Sequence, residues 1–175
     1  MRVACAFAVG FCISLLMGCA ASTGLGNKSL RCESAKTIKR EMVKLINAAR
    51  SSPRQCGTTL LPIVSPIAWN THLARAAHHH AKDMAAGDFL AHRGSDGSEV
   101  ETRVKAVGYA WQTIGENVSA GYATSHQTIL AWLESAEHCA NMMDLSFTEI
   151  GAACVRHKAS HYGTYWTLVL ASRNQ

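Results

Sequence analysis

Three strings decide how this chain is read: Phe89-Leu90-Ala91-His92-Arg93-Gly94-Ser95-Asp96-Gly97, then Gly115-Glu116-Asn117-Val118, then Ala131-Trp132-Leu133-Glu134-Ser135-Ala136-Glu137-His138-Cys139-Ala140-Asn141. His92, Glu116 and His138 fall at the ends of short elements separated by glycine-rich turns. Neutral imidazoles with a carboxylate are the donor set of a partly open zinc site, and equally of general acid–base chemistry. The three residues are too far apart in the chain for a local motif, so only the fold can bring them together.

The flanking elements follow from periodicity and turn chemistry. Across residues 34–50, Ile38, Met42, Leu45, Ile46 and Ala49 recur at helical spacing. Pro53 ends that helix, because the residue before a proline is pushed out of the α region. Residues 57–69, with Pro62 and Pro66, read as a connecting loop. Asn70 or Thr71 caps a second helix that runs to about Ala86. Its His78-His79-His80 run lacks the H-E-x-x-H spacing of a helical metal site, and consecutive helical residues fan out by about 100°. Leu73, Ala77, His80 and Met84 share one face, so His80 is expected to pack inward and the other two to meet solvent.

Ser98 with Glu101 reads as a capping box for a short helix whose stripe is Val100, Val104 and Val107 and whose end is Gly108. Residues 114–120 form a short strand. Thr124 and Gln127 offer a second capping box, for a helix to about Ala136 that buries Ile129, Leu130, Trp132 and Leu133 and leaves His138 just past its end. Residues 149–157 and 165–172 are strands joined by a turn at 160–163. Helices before and between strands, with a closing hairpin, point to an α+β layered domain.

The 175 residues suit one domain behind a targeting segment. The net charge of +5 is spread out, and its densest cluster, Lys36, Lys39, Arg40 and Lys44, lies in a helical pattern that reads as a solvated face. That distribution argues against nucleic acid as a partner. Arg2 followed by the apolar run 3–17 has the length of a signal peptide and is short for a membrane span. Leu16-Met17-Gly18-Cys19 resembles a bacterial lipobox, which makes residues 1–18 the leader and Cys19 the lipidated first residue. The membrane is then a partner through that lipid. Residues 19–31 are the lipidated end and a Gly/Ser-containing tether with a reach of about 15–20 Å, and residues 32–175 are the domain.

Cys5 and Cys12 leave with the leader, so four cysteines remain: Cys32, Cys56, Cys139 and Cys154. An even number in an exported domain implies two disulfides. Three pairings exist; the sequence-local one, Cys32–Cys56 with Cys139–Cys154, staples neighbours, each loop contributing about 3 kcal/mol on the chain-entropy model.

The order H-x-G-S-D-G, G-E-N-V, A-W-x-x-S-x-x-H-x-A-N, F-T-E-I-G and Y-W-T is similar to that of bacterial CAP domains, the superfamily of cysteine-rich secretory, antigen 5 and pathogenesis-related proteins. The resemblance runs from about Leu45 to Ser172. It implies a three-layer α-β-α sandwich with a cleft that, in eukaryotic members, is lined by two histidines and two acids. His92 and Glu116 match the first histidine and the G-E-N acid. At the second acid's register stands Ser135, with Glu134 displaced by one. The family's H-Y-T-Q histidine aligns with Tyr165, and His161 fits only with a shift. Bacterial relatives instead keep a histidine after the tryptophan helix, which His138 matches.

The resemblance therefore implies a site of His92, Glu116 and His138, with Glu134 or Glu137 beside them, and zinc or another divalent ion as the cofactor such a set would take. The function expected is that of an exported, lipid-anchored envelope protein, in the outer membrane if the host is Gram-negative. Its cleft would bind a lipid-like ligand, another small molecule or a metal without catalysis. The alternative is a metal-assisted hydrolase of peptides or envelope polymers. Neither a G-x-S-x-G elbow nor a catalytic cysteine signature is present, and no catalytic residue is assigned.

Overall fold

The computed structural model describes residues 30–174. The leader, Cys19 and the tether as far as residue 29 lie outside the described residues. Three helical segments precede the first long strand: α1 (Ala35–Arg50), α2 (Thr71–Gly87) and α3 (Val100–Ala106). Three short strands, β1 (Arg54–Cys56), β2 (Thr59–Leu61) and β3 (Ala68–Trp69), lie between α1 and α2. The rest is β4 (Trp111–Ala120), α4 (Ser125–Glu134), α5 (Ala136–Met143), β5 (Glu149–Arg156) and β6 (Thr164–Arg173).

The main sheet has the order β3-β5-β6-β4, with β3 parallel to β5 and the other pairs antiparallel. Strand alternation sorts its side chains into two cores. Ile150, Ala152, Trp166, Leu168 and Leu170 pack with Ile38, Met42 and Ile46 of α1, Ile129 and Trp132 of α4 and Met142 of α5. Ala153, Val169 and Ala171 pack with Leu73, Ala76 and Ala77 of α2 and Val104 of α3. The sheet is thus covered on both faces, which is the α-β-α sandwich of an α+β domain. Gly151 allows α2 to lie directly on β5, since a Cβ there would stand 2.0 Å from the Ala74 nitrogen.

Several local expectations hold. Asn70 Oδ1 accepts from the His72 and Leu73 N–H groups at the start of α2. His80 is fully buried, while His78 and His79 are exposed.

Others are corrected. The stretch 57–69 is not one loop: β1 and β2 form a hairpin over Gly57 (φ +59°), and β3 completes the sheet edge. Ser98 does not cap α3; Glu99 holds that position without a side-chain bond and its carbonyl accepts the first helical N–H, from Arg103, while the Ser98 carbonyl accepts from the Gly94 N–H and the Arg103 guanidinium. Leu130 is exposed. The helix expected to end near Ala136 breaks at Ser135 (ψ 125°) and restarts as α5, so His138 lies within a helix.

The disulfides are also a correction. They join Cys32 to Cys154 and Cys56 to Cys139, with Cα–Cα distances of 5.6 and 5.4 Å. Cys139 turns from α5 toward the β1 hairpin, into a cluster with Ala49, Cys56 and Met143. Cys154 is on β5, against the core that α1 covers, so the chain entering α1 is the segment within reach. Tertiary packing decided this, and neighbourhood in sequence did not.

Arg50 is buried at the end of α1 and donates to the carbonyls of Ser65, Met142, Asp144 and Phe147. It ties the loop before β3 and the loop before β5 to one helix.

Candidate functional site

Glu116 sits in the middle of β4 opposite Val169, and therefore on the face covered by α2 and α3. Its neighbour Asn117 points to the other face, where its Nδ2 donates to the His138 carbonyl (3.0 Å) and its Oδ1 accepts from Asn141 Nδ2 (2.9 Å). Two residues of one motif thus serve opposite layers, as strand geometry requires.

Glu116 is buried, and both its oxygens are engaged. Arg103 Nη2 donates to Oε2 at 2.7 Å and His92 Nδ1 donates to Oε1 at 2.9 Å. His80 Nε2 lies 3.8 Å from Oε1 and donates to the Ala91 carbonyl at 2.8 Å, which fixes its tautomer. Arg103 also donates to the carbonyls of His92 (3.0 Å) and Ser98 (2.7 Å). One guanidinium therefore holds the 92–98 loop against β4.

The histidines are tuned apart. The hydrogen bond to Glu116 raises the pKa of His92, whose side chain is 55% exposed. Burial lowers that of His80. His138 is lowered by burial and then by the neighbouring His92 charge.

Sequence reading placed His92 with Glu116, and the structure joins them. His138 joins the pair only through the His92 charge, which helps keep it neutral, with no hydrogen bond to either residue. Glu134 and Glu137 are exposed and bond to none of the three. Arg103 was missed because a cation on a short helix reads as a surface residue. No linear signal marked its insertion beneath a loop.

These residues do not fit a divalent ion as they stand. A metal on Glu116 would compete with a buried guanidinium at 2.7 Å. The His92 nitrogen that faces the carboxylate carries a proton to it. Among the described residues, no three His, Cys, Asp or Glu side chains are placed to hold a metal.

A second place has a different character. A groove of about 670 Å³ lies at the β3 edge of the sheet, between α1 and α2. Its apolar lining includes Ile38, Trp69, Ala152, Ala153 and Cys154, and its rim carries Lys36, Lys39, Arg75 and His79. A cavity of about 590 Å³ extends it past Lys36, Lys39 and Trp69 to Arg40 and Lys44. Glu33, also in the groove wall, is committed to the Ser125 N–H and hydroxyl at the start of α4.

The sandwich and the conjunction of His92 with Glu116 define a CAP-type domain. The chain belongs to the cysteine-rich secretory protein family, whose profile matches residues 43–170. It is 25% identical over 134 residues to the uncharacterised Bacillus subtilis protein YkwD, covering 77% of this chain and 47% of that one. An uncharacterised B. subtilis membrane protein, YlbC, is 22% identical over 93 residues, covering 53% of this chain and 27% of that one. The chain thus spans about half the length, or less, of the curated relatives it matches.

Among solved structures, it resembles an extracellular SCP-domain protein of Bacillus anthracis (TM-score 0.64, 21% identity, 80% of this chain and 41% of that one). It also resembles an outer surface protein of Borrelia burgdorferi (TM-score 0.62, 14% identity, 79% and 92%). Among the described residues, no helix is long and apolar enough to cross a membrane.

Proposed function

We propose that this chain is an exported envelope protein, held by a lipid on Cys19, that works by binding a small ligand rather than by breaking bonds. The ligand seats beside Trp69 in the groove, not on Glu116. The observation that carries this reading is the contrast between the two places. The groove has an apolar floor and a rim of Lys36, Lys39 and Arg75, which suits an apolar body bearing negative charge. Glu116 is already bonded to Arg103 and His92, which suits a structural anchor. Export is supported by the leader and lipobox strings and by relatives named as extracellular or outer-surface proteins.

Metal-assisted hydrolysis is the second reading. The opposed shifts of His92 and His138 favour it, since a charged and a neutral imidazole side by side can act as acid and base. It would require Arg103 to leave Glu116.

The test is mass spectrometry and zinc calorimetry on the full chain extracted from membranes in mild detergent. An acylated Cys19, a bound amphiphile or peptide and no zinc heat support the first reading. Stoichiometric zinc at the cleft and an unmodified N-terminus would replace it with the second.

A further inference from the structure

We infer that the groove takes an extended peptide, added as a strand along β5, with an acidic residue held by the rim cations. This rests on reading the groove as the binding site and names the class of its ligand.

The register of β5 carries the inference. β3 pairs only Ala68 and Trp69, with Glu149 and Ile150. The Ala68 N–H donates to the Thr148 carbonyl and the Asn70 N–H to the Ile150 carbonyl. Even-numbered residues of β5 therefore direct their backbone groups to this edge, and odd-numbered ones exchange bonds with β6. The next two in the row are Ala152 and Cys154. Asn70 does not continue the ladder, because the chain turns into α2 and the Asn70 carbonyl accepts from the Ala74 N–H. No described residue bonds the N–H or C=O of Ala152 or Cys154 on that side.

Ala152 and Cys154 both line the groove. A donor and an acceptor repeated every second residue along an edge are the complement of another extended backbone. An acyl chain would cover the same floor and leave these groups without partners, at a cost for each. The walls suit the alternating side chains of a strand, with the α1 layer on one side and the α2 layer on the other. Charge selects among peptides. Lys36 and Lys39 ring the groove, with Arg75, whose guanidinium donates to the Val107 carbonyl, beside them; Glu33 is drawn away by Ser125, so an acidic residue or terminal carboxylate is favoured over a basic one.

The test uses the full-length chain in nanodiscs of zwitterionic lipid, with a labelled short peptide alternating valine and threonine and ending in aspartate. Controls are the same peptide ending in lysine, the aspartate peptide N-methylated at alternate residues, and laurate. The aspartate peptide should bind and slow amide exchange at Ala152 and Cys154. N-methylation and Lys39→Glu should each weaken it about tenfold. Ala152→Pro removes an edge donor that β6 does not use and should weaken it similarly. Binding of laurate alone, or of both aspartate peptides equally, would overturn strand addition while leaving the groove as a ligand site. If neither peptide nor laurate binds, the groove reading fails as well.

Discussion

Arg103 and Glu116 form an ion pair at 2.7 Å, with side-chain exposures of 8% and 2%. The guanidinium reaches the carboxylate from α3 while also gripping the carbonyls of His92 and Ser98. The acid of the G-E-N string is thereby the point where a strand, a short helix and the His92 loop are joined.

Removing one member of such a pair leaves the other charge buried without compensation. Arg103→Ala should therefore cost about 3–5 kcal/mol in chemical denaturation. The double variant Arg103→Met with Glu116→Leu should recover most of the loss, because desolvated charge no longer has to be balanced. A single Arg103→Ala variant with unchanged stability would show that the pair does not hold the loop.

His92 and His80 pull stability in opposite directions as pH changes. A histidine raised by its partner lends stability that is complete below its ordinary pKa of 6.5 and is lost as pH climbs through the folded value. A histidine lowered by burial does the reverse: as pH falls below 6.5, the unfolded chain takes up the proton first and stability drops. The gap in melting temperature between the parent and His92→Ala should therefore widen between about pH 8 and about pH 6. His80→Asn should flatten the acid-side fall. Thermal melts across that range check both, and a gap that narrows on acidification would contradict the His92 assignment.

The nested disulfides close long loops, with sequence separations of 122 and 83 residues. Each should contribute about 4–5 kcal/mol on the chain-entropy model. Non-reducing peptide mapping should recover Cys32 with Cys154 and Cys56 with Cys139. Cys32→Ser with Cys154→Ser should also release the chain segment that enters the fold beside the groove.

Much of the architecture is legible in the chain. Asn70 and Thr124 mark helix starts by local chemistry, and Ile38, Met42 and Ile46 mark a buried face by period. His80 is legible as an inward residue for the same reason. What escapes are relations between distant segments. Ser98 looks like a cap, yet α3 starts one residue later at Glu99, and Arg50 looks like a surface cation until it meets four carbonyls, from two loops and the end of α5. Cysteine pairing escapes similarly, since Cys32 finds Cys154 only once α1 lies on β5. Glu116 is legible as a site residue, but its role depends on a partner thirteen positions away that no local pattern marks.

Hydrogen exchange read by mass spectrometry, with the full chain in zwitterionic nanodiscs and laurate and the aspartate-ended peptide added in turn, locates the binding surface directly. Protection is predicted over the start of α1, around Trp69 and Arg75, and along 150–155 of β5, with the 90–98 loop and the middle of β4 unchanged. Protection confined to His92, Glu116 and α5 would contradict the account and return the ligand to the cleft.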